Sequence, residues 1–178
     1  SSDLVIWDSL AICEYLAEKV PALWPAEAKV RAEARAVSAE MHSGFTSLRH
    51  DLPMEVSAYK PHDRRTAGAD ADIARIVSIW QGCRKRFGAH GPFLFGTFSI
   101  ADAMYAPVVW RFLTYHVDLP EASRKWVETM AALPAMQEWR NAAIAAGEMT
   151  EHSSADGWSS AAKFRAVLET AAFCEAEL

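Results

Sequence analysis

This sequence predicts an all-α fold: a bundle of helices with one short strand and helix in front of it. Three observations carry that expectation. Successive stretches between residues 26 and 146 repeat apolar residues at helical spacing, bounded by proline, glycine or capping side chains. An apolar content of 51% is enough to fill a real core in a chain of 178 residues. After Leu4-Val5-Ile6-Trp7, an apolar run that reads as a strand, no second convincing strand follows. A lone strand leaves a row of unpaired N–H and C=O groups. The expectation is therefore that the chain is the C-terminal part of a longer protein whose sheet lies upstream.

Asp8-Ser9 follows the strand with helix-capping side chains, and Leu10 to Lys19 continues at helical spacing. The first N–H groups of a helix lack intrahelical partners, and the dipole there favours negative charge. With a hydroxyl and a carboxylate alongside, such a spot can hold the carboxylate and ammonium of one amino acid. On spacing alone, a plain N-cap is the commoner role for such a pair.

Pro21 and Pro25 break the chain around Leu23-Trp24, which reads as a linker plugging into apolar surface. Ala26 to His50 predicts one long helix, charged in its first half. Its second half is Glu40-Met41-His42-Ser43-Gly44-Phe45-Thr46-Ser47-Leu48-Arg49. Gly44 costs a mid-helix position about 1 kcal/mol relative to Ala, which suggests a bend or a close approach. Met54 to Gly68 is polar and reads as a loop or a poorly ordered extension. Ala69 to Phe87 is the next helix, with Ile73, Ile76, Val77 and Trp80 on one face and Gly88 as its stop.

Phe98-Ser99-Ile100-Ala101-Asp102-Ala103-Met104 is the strongest local signal. Ser99 and Asp102 have the spacing of a capping box, Ser99 accepting from the Asp102 N–H and the carboxylate reaching back to the Ser99 N–H. Phe98 can pack on Ala103. The helix it starts, Ile100 to about Tyr115, is apolar nearly all round and is expected to be the buried central one, kinked at Pro107. Helices over Glu121 to Ala132 and from Pro134 to Ala146 complete the bundle, with Trp126, Met130, Met136 and Trp139 as inward bulk. Past Gly147 a Ser-rich linker leads to an amphipathic stretch, Ser160 to Glu177. The expected divisions are 1–20, 21–148 and 149–178.

The net charge of −5 and a pI near 5.7 offer no basic patch for nucleic acid. Cys13, Cys83 and Cys174 show no CxxC or Cys/His spacing, so they read as free thiols and no metal site is expected. No apolar run approaches the ~20 residues of a membrane span, and a cytoplasmic protein is expected.

The order of these motifs resembles a known family. Trp7-Asp8-Ser9-Leu10-Ala11-Ile12-Cys13-Glu14-Tyr15-Leu16, Leu23-Trp24-Pro25, Glu40-Met41-His42-Ser43-Gly44-Phe45, Phe93-Leu94-Phe95-Gly96, Phe98-Ser99-Ile100-Ala101-Asp102 and Leu133-Pro134-Ala135-Met136-Gln137-Glu138-Trp139 follow one another. Together they resemble the helical C-terminal half of a cytosolic glutathione transferase, with the last strand and helix of its thioredoxin-like half. The likeness runs from about Leu4 to Glu148 and is closest to bacterial members near the beta and zeta classes.

The resemblance implies that Asp8 and Ser9 grip the γ-glutamyl end of glutathione, the co-substrate. It implies that His42 faces the glutathione sulfur. Met41, Phe45, Arg49 and Tyr105 become candidates for the second-substrate wall, though such side chains are ordinary core material elsewhere. Ser99 and Asp102 match the family's structural capping box. The residue that stabilises or replaces the thiolate is expected upstream of Ser1, so no catalytic residue is assigned here and the isolated chain is expected to be inactive. Conjugation of glutathione to an electrophilic small molecule by a homodimer is the implied activity. A non-catalytic dimerisation or interaction module of the same fold is the alternative.

Overall fold

The computed structural model describes residues 4–61 and 64–146. The described residues form α1 (Ser9–Lys19), α2 (Ala28–Ser43), α3 (Thr46–Asp51), α4 (Ala67–Phe87), α5 (Ile100–Thr114), α6 (Glu121–Ala132) and α7 (Pro134–Ala145), with 3-10 turns at Pro21–Leu23 and Gly88–His90. Among the described residues β pairing is confined to two isolated bridges, Phe93 with Gly96 and Phe95 with Thr97. The expected all-α architecture is what the chain adopts. The strand over Leu4–Trp7 is not formed: these residues carry no ladder, and Leu4, Val5 and Trp7 are 56%, 72% and 87% exposed. Strand main-chain groups need a neighbouring strand, and the described residues supply none. The Ser160 to Glu177 stretch lies outside the described residues.

The chain divides into two compact units, the first running to Phe45 and including Ser78–Tyr105, the second holding Thr46–Val77 and the chain from Ala106 onward. α4 and α5 each contribute to both.

In the first unit, α1 and α2 are tied by a three-residue latch. The Glu14 carboxylate on α1 takes both forks of the Arg35 guanidinium on α2 at 2.8 and 2.9 Å. It also accepts from the indole N–H of Trp24 at 3.3 Å. Arg35 lies over the Trp24 ring at 5.4 Å, and that ring is 3% exposed, so the linker does plug into apolar surface as its sequence suggested. α2 starts at Ala28 because the Glu27 carboxylate caps it, accepting from the N–H groups of Lys29 and Val30 at 3.0 and 2.7 Å. Ala34, Val37, Ser38 and Met41 form its buried stripe at helical spacing.

The single helix expected over 26–50 is broken after Ser43. Gly44 turns extended (φ −107°, ψ −165°) and Phe45 takes the left-handed conformation at φ 58°. A Cβ at Gly44 would lie 2.7 Å from the Glu40 carbonyl oxygen, so the close approach that Gly44 hinted at is made by the helix's own last turn.

The capping box also forms in this unit, with one change of direction. The Asp102 carboxylate accepts from the Ser99 N–H at 3.0 Å and from the Leu94 N–H at 2.9 Å. The Ser99 hydroxyl donates to that carboxylate at 3.1 Å, while the Asp102 N–H goes to the Ser99 carbonyl at 3.0 Å. Ser99 therefore serves as a donor to the carboxylate rather than as the accepting cap. Phe98 packs edge-on against Phe93 at 5.3 Å. Arg84 fastens the Gly88–Gly96 loop, donating to the Gly91 carbonyl at 2.7 Å and to that of Phe93.

In the second unit, the six-residue α3 is stitched at both ends. The Asp72 carboxylate on α4 accepts from the Leu48 N–H at 2.9 Å. Asp51, at the end of α3, accepts from the N–H and hydroxyl of Thr66, just before α4, both at 2.7 Å. In the polar stretch after Pro53, Thr114 donates to the Glu55 carbonyl at 2.7 Å, and the Lys60 N–H donates to the Thr114 carbonyl at 2.7 Å. The part of α5 in this unit is closely buried, with Val108, Val109, Trp110 and Phe112 all at 2% exposure or less. On α6, Ser123, Trp126, Val127 and Met130 form the buried stripe, joined by Met136 of α7. Burying side chains of this size stabilises by about 1.5–3 kcal/mol each.

Candidate functional site

The site is built in the first unit, where the start of α1 meets the end of α2. Asp8 is the N-cap of α1, in extended conformation (φ −100°, ψ 133°), and its Oδ1 accepts from the N–H groups of Leu10 and Ala11, both at 2.9 Å. That double bond to the backbone fixes the plane of the carboxylate. Oδ2 is left facing away from the helix, and it meets Nε2 of His42 at 3.0 Å. The His42 side chain is 35% exposed and that of Asp8 44%, so the pair lies at a solvent-reached surface.

His42 occupies the last turn of α2. The backbone N–H of Ala11 holds the Asp8 carboxyl below the usual carboxylate range, with His42 and the Leu10 N–H acting the same way and partial burial opposing them. The result is an anionic oxygen held at a helix start, with a basic ring against it.

Ser9 is the first residue of α1 and is exposed, and its N–H and hydroxyl meet no partner among the described residues. The N–H groups that the sequence offered to a ligand carboxylate are mostly taken. Leu10 and Ala11 bond to the Asp8 side chain, and Ile12 donates to the Asp8 carbonyl at 2.8 Å. What this helix start still presents is Ser9.

The second-substrate candidates are placed as follows. Met41 is 3% and Phe45 7% exposed, Phe45 with its strained left-handed backbone directly after Gly44. Tyr105 is fully buried, its hydroxyl donating to the Val37 carbonyl at 3.2 Å and its ring meeting Trp80 edge-on at 5.8 Å. Arg49 is exposed on α3, in the second unit. The structure thus brings Asp8 and His42 into direct contact and makes Tyr105 a core residue.

Two features were not visible in the sequence. The Asp8–His42 contact joins residues 34 positions apart in the chain, with no periodicity linking them. Arg111 is 9% exposed and donates to the Leu52 carbonyl at the end of α3; burial, and then the charge of Arg49, pulls its pKa down. Among the described residues no group of three or more His, Cys, Asp or Glu could hold a metal ion, and no helix is long and apolar enough to cross a membrane.

Residues 63–142 match the family described as glutathione S-transferase, C-terminal domain. Among solved structures, seven chains match. One is the crystal structure of a glutathione transferase homolog from Burkholderia gl BGR1 with bound glutathione. It is 24% identical at a TM-score of 0.59, covering 80% of this chain and 69% of that one. No curated protein matches. The motif order, the buried α5 with its Ser99–Asp102 box and these comparisons agree: the chain has an all-α fold like that of this homolog, and its residues 63–142 are similar to the C-terminal domain of glutathione S-transferases.

Proposed function

We propose that this protein binds glutathione and serves the transfer of its thiolate to an electrophilic small molecule. The observation that carries the reading is the Asp8 carboxylate. Two backbone N–H groups pin it at the start of α1, with Oδ2 turned outward and Ser9 exposed beside it. A fixed carboxylate next to an unpartnered N–H and hydroxyl suits the ammonium and carboxylate of a γ-glutamyl group. That a homolog of the same fold was crystallised with glutathione supports the choice of ligand. Catalysis would come from lowering the thiol pKa and from orientation. His42 is the basic group nearest this grip, and Met41 and Phe45 are the proposed contributors to the electrophile's wall. The working form would be a homodimer in the cytoplasm.

The test is Asp8→Ala in the 178-residue chain, with glutathione affinity read by calorimetry. A loss of at least tenfold is expected, and an unchanged affinity would sink the assignment.

A second reading, a non-catalytic interaction module of the same fold, draws on the two described cysteines. Burial pushes both thiols up, that of Cys83 to about 12, so neither is a ready thiolate. Turnover of a standard electrophile by the purified chain would exclude that reading.

A further inference from the structure

Arg111 is a buried cation to which the fold gives a single neutral partner. It lies on α5 at 9% exposure, in the same unit as α3. Its Nη1 donates to the carbonyl of Leu52, whose own N–H closes the last turn of α3 on Leu48 at 2.9 Å. A positive group suits that place, because the C-terminal end of a helix favours cations. The bond uses one of five N–H donors, however, and brings no negative charge. The edge formed by Nε and Nη2 has no partner among the described residues. None of the Arg111 nitrogens is both sealed from solvent and unpaired, so that edge is reached by solvent. A buried charge without an opposite charge is costly to keep.

The described carboxylates of α3, of the stretch after it and of the first turns of α4 are engaged with other groups. Asp51 holds His50 and Thr66, and Asp72 accepts from the Leu48 N–H. Glu55 meets Lys60 at 2.5 Å and the Tyr115 hydroxyl at 3.4 Å, and Asp70 meets Arg65 at 3.0 Å. Burial lowers the pKa of Arg111, and the charge of Arg49, one turn before Leu52, lowers it further, with Tyr115 acting the other way. Arg49 has further interactions of its own, and what it brings to Arg111 is charge. Elsewhere the chain shows how such an edge is used: Arg35 grips the two Glu14 oxygens with Nε and Nη2 at 2.8 and 2.9 Å. Arg111 offers the same edge with no described carboxylate of the chain upon it.

We propose that Arg111 anchors an oxyanion site in the second unit, taking two oxygens of a carboxylate or phosphate group on its Nε–Nη2 edge, with Arg49 adding attraction. A guanidinium fork matches the spacing of two such oxygens, and its bonds to a charged group are stronger than those to a neutral one. The Leu52 carbonyl holds Nη1, so the edge is oriented before a ligand arrives. Salt screens a half-sunken pair less than an exposed one. With so little of Arg111 exposed, the ligand must present its anionic group at a narrow end. The inference uses residues of α3 and α5 and does not rest on the γ-glutamyl reading of Asp8.

The experiment follows the Arg111 Nε–H signal by nitrogen-edited NMR of the 178-residue chain. Sodium phosphate, sodium acetate or sodium chloride is added at matched ionic strength. Phosphate and acetate are each expected to shift the signal along a saturating curve in the millimolar range, and chloride to leave it in place. Saturation by one oxyanion and not the other supports the site and names its ligand class. Arg111→Lys keeps the charge and loses the fork, so affinity, read by calorimetry, should fall about tenfold. Arg49→Ala removes only a neighbouring charge and should cost about threefold. Circular dichroism checks that both variants are folded. If Arg111→Lys does not fold, the wild-type titration and Arg49→Ala decide. A wild-type signal that stays put, drifts without saturating or responds equally to chloride overturns the site and leaves Arg111 as a clasp on the end of α3. Undiminished affinity in folded Arg111→Lys overturns it as well.

Discussion

Replacing Asp102 by Ala tests what holds the Gly88–Gly96 loop against α5. The carboxylate is fully buried and accepts three bonds, from the N–H groups of Leu94 and Ser99 and from the Ser99 hydroxyl. Removing it strips a helix cap, worth about 1 kcal/mol. It also orphans two N–H groups, each costing about 1–3 kcal/mol if it stays buried without a partner. Allowing for partial relaxation and water entry, the sum is about 3–5 kcal/mol, a large part of the stability of an ordinary domain. Ser99→Ala should cost far less, about 1 kcal/mol, because the carboxylate keeps both N–H partners and loses only one hydroxyl donor. Asp102→Asn should fall between: one amide oxygen still accepts, while the amide nitrogen must face a donor. Urea titration followed by circular dichroism gives the series, with the slope of the transition showing whether one cooperative unit is being measured. If Ser99→Ala proves as damaging as Asp102→Ala, the hydroxyl rather than the carboxylate holds the junction and this reasoning fails.

The other predictions concern acid, a glycine and a thiol. His50 first, and then the hydroxyl and N–H of Thr66, hold the Asp51 carboxyl down at about 2 against an ordinary value of 3.8. Its folded-state pKa is depressed, so its contribution to stability is present above about 4 and is lost as pH falls toward 2. The acid-unfolding profile should show a loss in that window that Asp51→Asn removes. Gly44→Ala would gain about 1 kcal/mol in an uninterrupted helix. Here its Cβ would meet the Glu40 carbonyl oxygen at 2.7 Å, so a loss of about 1–3 kcal/mol is expected in thermal unfolding, and a gain would contradict the break after Ser43. Burial pushes the Cys83 thiol up to about 12, so it should resist iodoacetamide at pH 8 in the folded chain and react in urea, as read by peptide mapping.

What the sequence disclosed was the part of the fold written in local pattern. The buried stripe of α4 (Ala69, Ile73, Ile76, Trp80, Cys83) steps by four and three residues, so helix and inward face could be read together. Ser99 and Asp102 were legible because a cap acts over three residues. Pro134 and the length of α6 were legible for the same reason. The break after Ser43 was only hinted at, since a glycine in a helical pattern can bend, end or merely weaken a helix. Whether Phe45 turns left-handed depends on tertiary packing. The Leu4–Trp7 run shows the limit of propensity: its residue types favour a strand, but a strand exists only by pairing. At the site, the sequence marked Asp8, Ser9 and His42 separately. Their geometry, with one carboxylate oxygen spent on the helix and the other on the imidazole, depends on where α1 and α2 meet, and no spacing along the chain encodes that.

The short α3 has a consequence for how this protein comes apart. A helix of six residues is far below the length of about 12–15 that stands alone in water. Its start is tied to Asp72 within α4, and Asp51 at its end holds the residue that precedes α4. Neither end can fray without releasing the other segment. α3 and the opening turns of α4 should therefore gain and lose amide protection as one body, late in assembly and early in disassembly. The connection is a hasp that closes only after the larger helix is in place.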